Sequence, residues 1–146
     1  MDKEELTLRE REAWEAFRRE VDRLPPDLLE RLIESHEGWT VKDVLWHIAH
    51  WWDDLADMLD RIRAGTFVDD EGTDEETDAE NAQVLAESRE MTLAEVRSGV
   101  EAARDRMLAA WGALPKVTDV ARKWFVWETI EHYEEHVPQL RGLARD

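Results

Sequence analysis

Apolar residues recur along the chain at spacings of three and four, Gly and Pro are scarce inside those stretches, and no window alternates with period two. This pattern predicts an all-helical fold. The first helix covers about residues 3–23 on a stripe of Leu6, Ala13, Trp14, Phe17, Val21 and Leu24. Pro25 and Pro26 end it, because proline donates no helical hydrogen bond and pushes the preceding residue away from helical angles. A short amphipathic piece over 27–35 and a loop over 36–39 come next.

Thr40 opens a second helix, with Asp43 placed to complete a capping box. Its wide inner face runs from Val41 and Val44 through Ile48, Trp51, Trp52 and Leu55 to Ile62, and it ends near Gly65. A partial helix over 74–89 leads to Thr92-Leu93-Ala94-Glu95, a second capping box, which starts a long helix with the stripe Leu93, Val96, Val100, Ala103, Met107, Trp111 and Leu114. Pro115 ends that helix, and the short link after it permits only an antiparallel neighbour over about 119–143. Residues 66–91 are long enough to climb the whole bundle, so the second and third long helices can run parallel. The expectation is a four-helix bundle with one long crossover, a single domain over 1–146, without internal repeats.

Composition narrows the possible chemistry. Among 146 residues there are 19 Lys and Arg against 36 Asp and Glu, a net charge of −17. So acidic a surface repels phosphate backbones, which excludes nucleic acid as the expected partner. No apolar run approaches the roughly 18 residues of a membrane span, and the opening MDKEELTLRE has no apolar secretory core, so a cytoplasmic location is expected. With no cysteine, metal chemistry falls to His and carboxylates. Residues 69–80 hold eight acids and no base. They read as a solvated loop leading into a helix, since the spaced ligands and glycine of an EF-hand are absent.

The histidines carry the candidate site. His132 and His136 are one turn apart and lie on the inner line Phe125, Thr129, His132, His136, Gln139 and Leu143. On the second helix, His47 lies about 70° from the centre of the inner face and His50 about 130°, so His47 reaches inward and His50 does not. A lone histidine on an apolar stripe is ordinarily a hydrogen-bonded core residue. Three from two helices instead make a facial site for zinc, nickel, copper or iron, left open as in catalytic zinc sites. The absence of any Glu-x-x-His excludes the di-iron carboxylate pattern, and Tyr133 after His132 excludes the His-Glu-x-x-His protease helix. Glu128, one turn before His132, is the candidate to orient a ligand or act as catalytic base. Glu131, Glu134 and Glu135 read as a solvated face, and Trp51 is expected beside the metal.

The stretch Gly38-Trp39-Thr40-Val41-Lys42-Asp43-Val44-Leu45-Trp46-His47-Ile48-Ala49, followed downstream by Glu128-Thr129-Ile130-Glu131-His132-Tyr133-Glu134-Glu135-His136-Val137-Pro138-Gln139-Leu140, resembles the DinB/YfiT-like superfamily of metalloenzymes. Both halves match in order and separation. The resemblance implies an up-down-down-up bundle, a homodimer, and a zinc or nickel ion held by His47, His132 and His136. It also implies a small-molecule substrate, with thiol-dependent transfer or isomerisation using a low-molecular-weight thiol among the reactions of relatives. Hydrolysis is equally compatible with the sequence, and a non-catalytic binding or stress-response bundle is the alternative. A separate argument for the dimer is that Trp46, Trp124 and Trp127 fall off the core stripes and need cover. A second copy would supply it, as would the 25–39 connection or the acidic crossover.

Overall fold

The computed structural model describes residues 2–33, 36 and 38–145, and these are helical throughout apart from connections. Helix α1 (Lys3–Asp22) is capped by the Asp2 carboxylate on the Glu5 amide. Pro25 and Pro26 then turn the chain into a 3₁₀ segment, Pro26–Glu30. Of the amphipathic piece expected here, Glu34 and Ser35 lie outside the described residues, as does Glu37 of the loop. An isolated antiparallel bridge between Leu32 and Thr40 closes this connection, and Gly38 takes the left-handed φ of 82° that its turn requires.

Both capping boxes form. Thr40 and Asp43 open α2 (Val41–Ala64), which stops at Gly65 in a left-handed cap with φ 78°. Thr92 and Glu95 open α4 (Leu93–Gly112). Between them, α3 (Asp74–Arg89) lies against α2 through polar contacts: Ser88 Oγ donates to Asp43, Trp51 Nε1 to Asn81 and Trp46 Nε1 to Glu87. The crossover thus carries a helix that walls one side of α2.

The last rod is continuous, passing from α5 (Asp119–Val126) through a π-helical segment, Trp127–Glu131, into α6 (His132–Arg145). Widening the ladder frees backbone carbonyls, and the Thr129 hydroxyl takes one of them, donating to Phe125 O at 2.6 Å. Such segments recur at functional sites, and this one leads directly into His132.

The core is aromatic. Trp14 contacts Phe17, Trp52 and Tyr133 with ring centroids 4.8 to 5.3 Å apart, and Trp111 stacks on Phe125 at 3.8 Å. The predicted α1 stripe is buried at Leu6, Trp14, Phe17, Val21 and Leu24, but so is Glu10 at 0% exposure, which the apolar pattern could not show. Among the described residues no helix is long and apolar enough to cross a membrane.

Candidate metal centre

Helices α2 and α6 bring together the histidines that rotation angles selected. His47, His132 and His136 are 8%, 9% and 4% exposed, and one ring nitrogen from each lies within 4.8 Å of the others. Nε2 of His47 and Nε2 of His132 are 2.8 Å apart. The Gln139 side-chain oxygen, an acceptor only, faces His136 Nδ1 at 2.8 Å, so Nδ1 carries the hydrogen and Nε2 keeps its lone pair. That Nε2 is buried without a hydrogen-bond partner, as are Nδ1 of His47 and Nδ1 of His132.

Burial, and then the neighbouring imidazoles, keep these rings neutral. Desolvation first and His132 and His136 next lower His47 to about 2. Desolvation and His136 lower His132 to about 3, and burial lowers His136 against the opposing pull of Gln139 and Glu135. Three neutral imidazoles that each bring one ring nitrogen within 4.8 Å of the others, the His136 Nε2 without a hydrogen-bond partner, are a donor set that fits a borderline transition metal. The three could hold one ion.

His50 turns away, its Nε2 3.0 Å from Glu80 Oε1 on α3, as its rotation predicted. Trp51 sits beside the cluster, 6.5 Å between ring centroids from His47. Trp39 lies closer, edge-on at 5.3 Å. His36, read as a loop residue, also reaches the cluster: its ring is 5.9 Å from His136 and 4.6 Å from Trp39. A loop has no helical period to reveal such an approach.

A cavity of about 450 Å³ opens beside the histidines, and His47, Trp51, Glu128 and His132 line it. Among the described residues the Glu128 carboxyl has no hydrogen-bond or ion-pair partner, and burial, followed by Asp54, Glu135 and Glu80, raises it to about 8. Asp54, which the sequence did not single out, stands on the same wall and is raised by burial and Glu80. Glu131 and Glu134 are exposed as expected; Glu135 is exposed too, but lines the cavity. The acidic run is more than solvated loop, since Asp70, Glu71, Glu76 and Glu80 form the opposite wall.

Two of the three off-stripe tryptophans find cover within the chain. Trp46 packs on Gly99 of α4, and Trp124, 7% exposed, donates to Asp69 of the crossover. Trp127 stacks on Trp124 at 5.1 Å and stays 43% exposed.

Comparison with curated proteins and with solved structures returns no match. A family model does match, the mycothiol maleylpyruvate isomerase N-terminal domain, over residues 10–132, a span that contains His47, Glu128 and His132 and stops short of His136. With most of the chain covered and the histidines of both halves in place, the chain belongs to the mycothiol maleylpyruvate isomerase N-terminal domain family, which is DinB/YfiT-like.

Proposed function

We propose that this protein is a metal-dependent enzyme acting on a small molecule, with His47, His132 and His136 holding one zinc or nickel ion and Glu128 moving a proton. The observation that carries this reading is the cluster of three buried, neutral imidazoles that each bring one ring nitrogen within 4.8 Å of the others, with His47 and His132 lining a cavity. When bound, such an ion supplies Lewis-acid chemistry that favours the deprotonated form of a thiol or water near neutral pH. The family name points to the thiol option.

The chain's own residues supply the rest. Glu128, protonated until about pH 8, can give a proton to a substrate or leaving group in the cavity and recover it, the behaviour of a general acid–base tuned near working pH. Trp51, fixed by its Nε1 bond to Asn81 at 2.9 Å, and the stacked Trp124 and Trp127 limit water access and offer flat surfaces for orientation. Gln139 holds His136 in the tautomer that leaves Nε2 free.

The scaffold reading is an up-down-down-up bundle. Supporting it, Lys42 meets Met91 and Asp53 meets Arg106, so α2 and α4 advance together, whereas Lys3 meets Gly112 and Glu10 meets Arg104, so α1 opposes α4. A second copy as partner rests on the family resemblance and on Trp127, which stays 43% exposed.

Protein purified without a metal-affinity tag is expected to carry close to one equivalent of zinc or nickel, and thiol transfer to electrophiles should disappear on chelation. Less than about a tenth of an equivalent, with no uptake on titration, would remove the metal reading. Bound metal with neither thiol transfer nor hydrolysis would leave a binding bundle.

A further inference from the structure

We infer that His36, in the turn between the 3₁₀ segment and α2, is a fourth metal ligand, one that closes the side of the three-histidine centre away from the cavity. The inference deepens the proposed function and rests on it for the presence of an ion on His47, His132 and His136.

The described residues of this turn are pinned from several directions. Its ends are joined by the bridge between Leu32 and Thr40 and by the Ile33 amide, which donates to Trp39 O at 2.8 Å. Within it, the His36 amide donates to Ile33 O at 3.2 Å and the Trp39 amide to His36 O at 3.1 Å. Ile33, 2% exposed, anchors it in the core, and Arg89 of α3 donates to Gly38 O at 3.0 Å. The backbone therefore holds His36 in one place, and that place is beside the histidines.

The His36 ring lies 5.9 Å from that of His136, against 4.8 to 5.3 Å between rings within the trio. After burial, His132 and His136, His36 also opposes a charge on His47, so it is near two of the three ligands. Its half-buried side chain has no hydrogen-bond or ion-pair partner among the described residues. It packs on Trp39 at 4.6 Å, and an indole ring satisfies neither imidazole nitrogen as a ligand would. His36 stands just outside the set of three close donor atoms. With the backbone pinned, a turn of the side chain brings a ring nitrogen to the ion.

The side that His36 closes follows from what lines the cavity. His47 and His132 do, whereas His136, His36 and Trp39 do not. A fourth imidazole from the turn thus leaves the open position on the cavity side, where Glu128 stands. Zinc takes four donors readily and can expand to five when substrate enters, and imidazole suits nickel equally.

The test is His36→Phe, which keeps a flat ring against Trp39 but offers no lone pair. Wild type and variant are loaded with cobalt(II) in place of zinc, the hyperfine-shifted imidazole signals in the proton NMR spectrum count the coordinated rings, and competition with a chelator gives the zinc affinity. Wild type is expected to show four coordinated rings. The variant should show three and bind zinc about tenfold or more weakly, since even a residue that only supports a ligand is worth about 10–100-fold. Three rings in the wild type would overturn the inference, as would a ring count unchanged in the variant. A weaker affinity with the same ring count also overturns it, because that describes a group supporting the site without binding the ion. If the variant loses its helical circular dichroism, the wild-type ring count alone decides. Cobalt held on three rings leaves the proposed function standing, whereas a wild type that takes up neither cobalt nor zinc overturns that reading and this inference with it.

Discussion

Tyr133, the residue after His132, donates its hydroxyl hydrogen to Glu10 Oε2 across 2.6 Å and 123 positions of sequence. Glu10 is fully buried and also accepts two bonds from Arg104, at 2.5 and 2.6 Å, while Trp52 Nε1 donates to the Tyr133 oxygen at 2.8 Å. Helices α1, α2, α4 and α6 therefore meet in one polar knot. That knot fixes the rotation of α6 one residue from a candidate ligand. Arg104 also lies over the rings of Trp14 and Trp52, so the charged pair is enclosed by aromatic surface.

Removing the hydroxyl should cost stability out of proportion to its size. Tyr133→Phe leaves Trp52 Nε1 without an acceptor and Glu10 one bond short, an expected loss of about 2–3 kcal/mol. Glu10→Ala strands the Arg104 charge and should cost about 3–5 kcal/mol. Urea denaturation checks both, and a Tyr133→Phe midpoint equal to that of the wild type would show that the knot contributes nothing.

Ligand choice is the second expectation. His47→Ala, His132→Ala and His136→Ala should each abolish stoichiometric uptake of zinc or nickel in a titration, whereas His50→Ala should retain it, because His50 is turned to Glu80. Metal lost from His50→Ala but kept by His47→Ala would reverse the assignment.

Folding should not depend on the ion. The buried apolar faces are continuous without it, so metal adds stability by binding linkage rather than by creating the fold. Chelated protein should keep its helical circular dichroism at room temperature and melt lower than the loaded form. Collapse of the helical signal on chelation would contradict this.

The Glu128 carboxyl gives a pH dependence of definite sign. Its pKa rises from 4.5 unfolded to about 8 folded, so the folded chain holds a proton that the unfolded chain releases. The stabilisation is complete below the unfolded value and is lost as pH rises through the folded one. Metal-free wild type should therefore lose stability relative to Glu128→Gln between about pH 5 and pH 8. The histidines, with lowered values, act in the opposite direction below 6.5, and their contribution is common to both proteins. Parallel urea midpoints across this range would show that Glu128 has no raised pKa.

Gly99 sets propensity against packing. In the middle of a helix Ala is ordinarily favoured over Gly by about 1 kcal/mol, yet a Cβ at Gly99 would stand 2.5 Å from Trp46 Cζ3, and Trp46 is held by its bond to Glu87 at 3.2 Å. Overpacking of this kind costs about 1–3 kcal/mol. Gly99→Ala should thus lower the melting temperature, and combining it with Trp46→Leu should recover part of the loss. A rise in melting temperature for the single variant would mean that the indole moves freely.

Period and capping chemistry are local properties, and they alone determined the helices. Thr40 with Asp43 and Thr92 with Glu95 marked two starts, Pro25 and Gly65 two ends, and the three-four stripe placed His132 and His136 on the inner face. The rotation of His47 against His50 was also readable, because both lie on one regular helix. What the tertiary structure decided is what lies across space: the burial of Glu10, the approach of His36 from a loop without a period, the cover of Trp46 and Trp124, and the carboxylate wall made when an acidic run folds back over α2 and α6. None of these follows from spacing along the chain. Each depends on which partner another segment brings, and in a low-dielectric interior that partner determines whether a charged or aromatic side chain is stabilised, strained or left open to a ligand.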